Sequence, residues 1–271
     1  MSLARVACVI PARDAADAIR ATVTAARALP GVDVVIVTDD GSSDETARIA
    51  AAAGAIIASH RRGRGRAASI ESAVNALGVL EQRDRRPECG TVLLLDADLG
   101  PGASRAQQLI APVVAERADL TIAVPPGRVA TGGAGTDHAS RDAVAETHDR
   151  DLVATTAARG IAELAGWTPR APLSTNRCLT RRAYELASPL AAGDGADVGM
   201  TIDLLRAGLR IREVEVDLGG PDEPTGLAAR LDRALVLADI TRALAARGLV
   251  QRSWTELKDG GVRGLIDKLR G

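Results

Sequence analysis

Asp96 and Asp98 stand one residue apart at the end of the apolar run Thr91-Val92-Leu93-Leu94-Leu95, and Gly100-Pro101 closes the stretch. An unbroken apolar run stopped by turn residues predicts a strand buried on both faces. A buried carboxylate is costly unless it is paired or metal-bound. Two of them at i and i+2, where a dry strand ends, therefore predict a cation site. In open α/β sheets ligands bind just beyond the carboxyl ends of the strands. Magnesium and manganese take hard oxygen ligands and keep waters and phosphate oxygens, so one or two carboxylates suffice. The expected chemistry is a Mg or Mn ion on Asp98 and Asp96 that holds a phosphate-bearing substrate.

Two earlier loops belong with this one. Residues 5–10 predict a first strand that runs into Pro11-Ala12-Arg13-Asp14, and residues 32–38 a second that runs into Asp39-Asp40-Gly41. Parallel strands put their carboxyl ends together, which gathers Asp14, Asp39 and Asp40 beside Asp96 and Asp98. The basic loop Arg61-Arg62-Gly63-Arg64-Gly65-Arg66 follows a short strand at 55–59. Arginine pairs bidentately with phosphate, and glycine lets the backbone approach closely. Such a mixture suits a ligand with polar hydroxyls, a diphosphate and a divalent cation.

The elements that must position these loops alternate between strand and helix. Asp14 is expected to cap a helix over 15–29, ended by Pro30-Gly31. Ser42-Ser43-Asp44-Glu45 matches a capping box that opens a helix to Ala53. An Ala-rich helix runs to about Gln82. Another is expected over 104–116, where Pro112 should kink or interrupt it, and a strand over 119–124. This alternation predicts a mostly parallel, doubly wound α/β sheet. Residues 125–149 are polar and aperiodic, with Thr131-Gly132-Gly133-Ala134-Gly135, and read as a lid or binding loop. Then come a helix over 151–166, a loop at 172–179 entering a strand, a flexible turn at 193–195 and a helix over 197–207. Residues 209–218 alternate apolar and polar and read as a half-exposed edge strand. A long amphipathic helix over 226–247 precedes a short tail anchored by Trp254.

Composition excludes several classes. The net charge is −1, so no global field points to nucleic acid or membrane. With no Phe, one Tyr and two Trp, the chain has almost nothing on which bases could stack. Its three cysteines (Cys8, Cys89, Cys178) form no CxxC pair, which fits packed thiols in a reducing compartment. No apolar run approaches the ~18–20 residues of a membrane span, and the first strand begins at once. A cytoplasmic location is the expectation.

Val9-Ile10-Pro11-Ala12-Arg13-Asp14, Val37-Thr38-Asp39-Asp40-Gly41-Ser42-Ser43-Asp44-Glu45-Thr46, Gly63-Arg64-Gly65 and Leu95-Asp96-Ala97-Asp98, in that order, resemble the family 2 glycosyltransferases with the GT-A fold. Among these the resemblance is nearest to bacterial glucosyl-3-phosphoglycerate synthase-like enzymes, over roughly residues 5–218. It implies a metal-assisted transfer of sugar from a UDP- or GDP-sugar to a hydroxyl of a small-molecule or lipid-linked acceptor. Carried over, Pro11, Ala12, Arg13, Asp39, Asp40, Gly63, Arg64 and Asp96 would bind the nucleotide-sugar, and Asp98, with Asp96, the metal. Pro172-Leu173-Ser174-Thr175-Asn176-Arg177 resembles the acceptor-side loop, which assigns acceptor contacts to Ser174, Asn176 and Arg177. Arg177 read without the resemblance is equally a packed or ion-paired arginine. Asp197 would be the base of an inverting transfer, or an acceptor ligand in the retaining transfer that the nearest resemblance implies. Residues 1–124 then form the nucleotide-sugar half, 125–225 the acceptor half of the same domain, and 226–271 a helical extension. A homodimer is compatible with this organisation.

The chain departs from the family pattern at several places. Ala15 stands where an acidic residue is common, the acceptor-side loop reads Ser-Thr-Asn-Arg rather than Ser-Gly-Gln-Arg, and Asp197 replaces a frequent Glu. Relatives often carry a histidine near the start of the last long helix, whereas Leu227-Ala228-Ala229-Arg230 has none and His60, His138 and His148 all lie earlier. Two other readings stay open. A nucleotidyltransferase shares the sheet, but its Gly-rich basic loop usually follows the first strand, where this chain has Pro11-Ala12-Arg13-Asp14. A catalytically degenerate nucleotide-binding relative is the other.

Overall fold

β1 (Val6–Ala12) shows why the sheet forms. Its Val6, Cys8 and Ile10 enter one apolar layer and its Ala7 and Val9 the other, the period-2 division of a strand covered on both faces. β4 (Thr91–Leu94) divides in the same way: Leu93 and the following Leu95 join the first layer, Val92 and Leu94 the second. The computed structural model describes residues 5–127, 141–219 and 227–249. Between and around these strands run α1 (Ile19–Arg27), β2 (Val32–Asp39), α2 (Thr46–Ala52), β3 (Ile56–Ser59) and α3 (Arg66–Arg83). After β4 come α4 (Gln107–Val114), β5 (Leu120–Val124), α5 (Arg141–Ala165), β6 (Arg177–Thr180), α6 (Arg181–Ala187), α7 (Ala196–Arg206), β7 (Ile211–Glu215) and α8 (Leu227–Ala246).

The strands form one sheet in the order β3-β2-β1-β4-β6-β5-β7. Four of its strand pairings are parallel; those of β6 with β4 and β5 are antiparallel. Buried residues of α1, α2 and α4 fill one layer, and those of α3, α6 and α7 the other. A third cluster joins α5, α7 and α8 through Val153, Ala157, Ile161, Val198, Ile202, Ile240 and Leu244. Thus α8 is packed against the rest of the chain through Ile240 and Leu244, both fully buried.

Two topological facts place the site. The chain builds outward from β1 to β2 and β3, then returns to place β4 on the other side of β1. That reversal opens a crevice at the carboxyl ends of β1 and β4. Because β6 runs antiparallel to β4, with Arg177 opposite Leu94, the loop that enters β6 arrives at the same edge. Thr22 of α1 ties the crevice wall down: its buried hydroxyl donates to the Ala97 carbonyl (2.8 Å) and accepts from the Gly100 N–H (2.8 Å).

The doubly wound, mostly parallel sheet and the half-exposed edge strand β7 agree with the sequence reading. Several local expectations do not hold. Asp14 adopts a left-handed φ of 47°, outside the extended geometry of an N-cap, and α1 starts only at Ile19 with no side-chain cap. The capping box is not formed either, since α2 also lacks a side-chain cap. Ser42 instead accepts from the Asp14 N–H (3.0 Å), and Asp44 accepts from the N–H groups of Thr46 and Ala16 (2.9 and 3.0 Å). These groups knit the first two loops to each other. The helix expected over 104–116 is a 3-10 segment at Gly100–Ala106 followed by α4, which contains Pro112 and ends two residues after it. α5 begins at Arg141, inside the stretch expected to be loop. Its first residues are polar but rich in Ala, Glu and Arg, which are good helix formers. Thr131–Gly135, His138 and Trp254 lie outside the described residues. Cys8, Cys89 and Cys178 are buried free thiols, as expected. Among the described residues no helix is long and apolar enough to cross a membrane.

Candidate active site

The crevice at β1 and β4 is a groove of about 770 Å³, lined by Pro11, Arg13, Asp14, Asp96, Asp98 and Pro101 among others. Asp98 is exposed to it. Partial burial, together with the neighbouring Asp96, pushes the Asp98 carboxyl above the ordinary carboxylate range. A divalent cation would relieve both effects, and carboxylate oxygens are the hard donors such an ion prefers. The residues present therefore fit Mg or Mn. Among the described residues no group of three or more His, Cys, Asp or Glu is placed to hold a metal, so the remaining ligands would come from a diphosphate and water.

Asp96 is held differently. Its Oδ1 accepts from Arg66 Nη1 (3.2 Å), and its Oδ2 from the Thr175 hydroxyl and from Asn176 Nδ2 (2.8 Å). Its backbone N–H donates to Asn176 Oδ1 (2.9 Å). The β6 entry loop thus grips the first carboxylate from both sides.

Arg66 joins three elements. Besides Asp96 it donates from Nε to Asp197 Oδ2 (2.8 Å) and from Nη2 to the Thr175 carbonyl (2.5 Å). Its side chain is only 11% exposed. Asp197, in the first turn of α7, is 3% exposed. Its other oxygen lies 3.1 Å from Arg177 Nε. Arg177 is fully buried, donating from Nε to the Ser174 carbonyl and from Nη1 to the Asp197 carbonyl and Thr201 hydroxyl. Burial, with Arg66 nearby, holds its guanidinium below the ordinary value despite Asp197. A second cavity of about 190 Å³ is lined by Leu173, Thr175, Asp194, Asp197, Val198 and Val236. A third, of about 210 Å³, opens among Arg5, Asp33, Arg83 and Cys89, at the amino ends of β1 and β2 and remote from these carboxylates.

The basic loop is anchored by Asp40. Its carboxylate accepts from the backbone N–H groups of Arg64 (2.8 Å) and Gly65 (2.8 Å) and contacts His60 Nδ1 at 2.6 Å, while His60 Nε2 lies 2.9 Å from Ser72 Oγ. Gly41 and Gly63 allow the two loops to touch: at φ +76° a Cβ on Gly41 would sit 2.9 Å from the Gly63 nitrogen. Burial alone would raise the Asp40 carboxyl. The His60, Arg64 and Gly65 hydrogen bonds and the His60 charge outweigh it and hold the group below the ordinary range. A depressed carboxylate stabilises the fold above its unfolded value, and that contribution is lost as pH falls through the folded value. Asp40→Ala should therefore cost about 2–3 kcal/mol at pH 7 by leaving charge-assisted donors unpaired. In urea unfolding, the gap to wild type should stay constant down to roughly pH 5 and close only at more acid values. A gap already closed at pH 6 would contradict this account.

The sequence-predicted residues are distributed accordingly. Pro11, Arg13, Asp96 and Asp98 line the groove. Ala12 faces the core, and its carbonyl accepts the Asp40 N–H. Asp39 accepts from the Ser42 N–H (3.2 Å). Gly63 lies against Arg13, whose Nη1 would be 2.7 Å from an added Cβ. The Arg64 side chain is exposed, and it is the backbone of Arg64 that Asp40 holds. Asn176 is on Asp96, and the Ser174 carbonyl is on Arg177. Arg177 is inside the protein, which corrects the expectation of an acceptor contact: its place in β6, between β4 and β5, turns it into the interior. Sequence reasoning placed Arg66 only among the phosphate-facing arginines of its loop, and it gave no role to Thr175, Asp194 or His60. Arg66 was visible only as one of four arginines in a loop, and nothing in its spacing marks it as the one that turns inward.

The model of the family described as Glycosyl transferase family 2 matches residues 7–150. No curated protein matches the chain. Solved structures of glucosyl-3-phosphoglycerate synthase from Mycobacterium tuberculosis share its fold. One, in complex with Mg2+ and UDP, is 22% identical with a TM-score of 0.63 over 90% of this chain and 79% of that one. Another, with Mn2+, UDP and phosphoglyceric acid, is 20% identical with a TM-score of 0.64 over 92% and 80%. A third, with Mn2+, UDP-glucose and phosphoglyceric acid, is 21% identical with a TM-score of 0.64 over 89% and 80%.

Proposed function

The chain belongs to the family 2 glycosyltransferases and has the GT-A fold, and from that premise we propose that it transfers a sugar from a UDP- or GDP-sugar to an acceptor hydroxyl with the help of Mg or Mn. The observation that supports this most directly is Asp98, exposed in the groove with its carboxyl above the ordinary range beside a fully engaged Asp96. Asp98, with Asp96, would hold the cation, which when bound neutralises charge on a leaving diphosphate. Pro11, Arg13 and Asp39 would form the nucleoside side of the groove, with Ala12 and Asp40 holding their loops in place behind it. Gly63 and Arg64 would face the phosphates, on a loop that Asp40 keeps in place.

In the transfer, the acceptor oxygen bonds to the anomeric carbon. The bond from that carbon to the phosphate oxygen breaks, and its electron pair leaves on the diphosphate. The acceptor proton must also go. Both Asp197 oxygens face guanidinium groups and the side chain is 3% exposed. This arrangement favours a positioning role for Asp197 and a retaining transfer, in which the departing diphosphate takes the proton. Ser174, Asn176 and Arg177 then serve the acceptor side by fixing the loop on Asp96 and Asp197.

A thermal-shift panel of nucleotide-sugars with Mn2+ tests the proposal. Ligand at 100 times its Kd adds about 2.7 kcal/mol of stability, or roughly 5–10 °C for a domain of this size. A UDP- or GDP-sugar should give such a shift. No shift with any nucleotide-sugar would contradict the proposal. A shift confined to nucleoside triphosphates would favour the nucleotidyltransferase alternative.

A further inference from the structure

The third cavity lies at the amino ends of β1 and β2, the edge of the sheet opposite the carboxylate groove, and the sugar-transfer chemistry gives it no part. Val34, Ile56, Leu77 and Leu80 make part of its lining apolar. Arg5, Arg83 and Arg86 share that lining with Asp33, Glu81 and Asp84.

Three guanidiniums and three carboxylates would cancel if they were equally committed to one another, and they are not. Glu81 has other partners. Its Oε1 accepts from the Cys89 N–H (2.7 Å), and its Oε2 lies 3.7 Å from Nη1 of Arg181, a residue outside the lining. Asp84 accepts from Arg83 Nε (2.7 Å) and Nη2 (3.2 Å). Asp33 Oδ2 accepts from Arg5 Nη2 (2.5 Å). Arg86 is left with no carboxylate of its own: its Nη1 stands 3.7 Å from that same Asp33 oxygen and its Nε 3.7 Å from Asp84, too far for hydrogen bonds. Arg5 also keeps a spare donor. Its Nε is buried with no hydrogen-bond partner among the described residues, and only the Cys89 thiol, a weak acceptor, stands beside the guanidinium.

Two guanidiniums therefore converge on one Asp33 oxygen with donors to spare. A buried donor left unpaired is costly, and guanidinium pairs bidentately with carboxylate. With Glu81 offset by Arg181, the lining carries three cations against two anions. That excess of one charge matches a monoanion better than a dianion. The cavity is about 210 Å³, and ~150 Å³ already admits a benzene-sized guest.

We propose that this cavity binds a small organic monocarboxylate with a compact apolar body. The carboxylate sits between Arg5 and Arg86, and the body lies against Val34, Ile56, Leu77 and Leu80. The site does not depend on the glycosyltransferase reading.

Methyl-labelled NMR of the full chain, titrated near pH 7.5 with benzoate and with 4-methylpentanoate, tests it. Benzamide is the neutral control and phenyl phosphate, largely dianionic at this pH, the doubly charged one. At least one carboxylate should shift the methyl signals of Ile56, Leu77 and Leu80 saturably, and should bind about fivefold or more tighter than either control. Arg86→Ala changes a half-exposed residue with no hydrogen bond to lose, and should weaken that binding about fivefold or more. Ile56→Glu adds a negative charge from a partly exposed position in the edge strand β3 and should abolish it. Both variants should bind UDP with Mn2+ as wild type does, which shows that the fold is intact and reports on the glycosyltransferase reading separately. Three results would each overturn the inference: no saturable shift with either carboxylate, a control that binds as tightly, or wild-type affinity in Arg86→Ala or Ile56→Glu.

Discussion

Arg66→Ala should destabilise the protein by about 3 kcal/mol, because removing one partner of a buried ion pair leaves its counter-charge uncompensated at a cost of ~3–5 kcal/mol. The low end applies because Arg177 still faces Asp197 after the change. Two carboxylates and a carbonyl lose their shared donor. For a domain of this size the loss corresponds to a fall in Tm of roughly 6–12 °C. Arg66→Lys should recover only part of it, since an ammonium is a point charge and cannot reproduce a fork that meets three partners. The effect should also reach the ligand. With Asp96 released from Arg66, Mn2+-dependent UDP binding measured well below the variant's Tm should weaken about tenfold, or about 1.4 kcal/mol. A fall in Tm of less than 2 °C, or full recovery by lysine, would show that the clamp is not what holds this edge together.

Asp98→Asn should have the opposite effect on stability and a larger one on binding. The Asp98 carboxyl is held above the ordinary range by partial burial and by Asp96. Its ionised form therefore disfavours the fold at neutral pH, and this penalty disappears as pH falls below the unfolded value. Asparagine removes the charge, so the metal-free variant should melt at the same temperature as wild type or above it. At pH 4 the difference should narrow. In the presence of Mn2+, however, the variant lacks the exposed anionic oxygen and should bind UDP at least ~100-fold more weakly, a loss of about 2.7 kcal/mol. A variant that melts well below wild type without metal would mean that Asp98 has a structural partner. Unchanged Mn2+-dependent binding would remove Asp98 from the metal site.

Much of this was legible in the residues. The Leu-Leu-Leu-Asp-Ala-Asp stretch announced a dry strand that ends in charge, and parallel topology dictated that the Pro11, Asp39 and Asp96 loops share an edge. Hydrogen bonds between the first two loops, and the groove that Pro11, Arg13, Asp96 and Asp98 line together, bear out that convergence. What could not be read was which polar groups satisfy which. Ser42 and Asp14 looked like helix caps because local spacing is the only information a sequence offers about a hydroxyl or carboxylate. In the fold each finds a better partner in the neighbouring loop. Arg66 and Arg177 are of the same kind. One sits in a solvated-looking basic run and the other at a strand start, yet both turn inward to Asp197, a residue 131 and 20 positions away respectively. Long-range charge pairing of this sort leaves no periodicity. The antiparallel direction of β6 was equally hidden, and it is what carries Thr175 and Asn176 onto Asp96.

Asp98 and Asp96 are assigned here to the cation of a nucleoside diphosphate. Calorimetric titration of UDP into the full chain, with and without Mn2+, in wild type and Asp98→Asn, tests that assignment most directly. Wild type should bind UDP tightly and in a Mn2+-dependent way, and the variant weakly and without metal dependence. Equal affinity with and without Mn2+ in wild type, or metal-dependent binding that survives in Asp98→Asn, would contradict it.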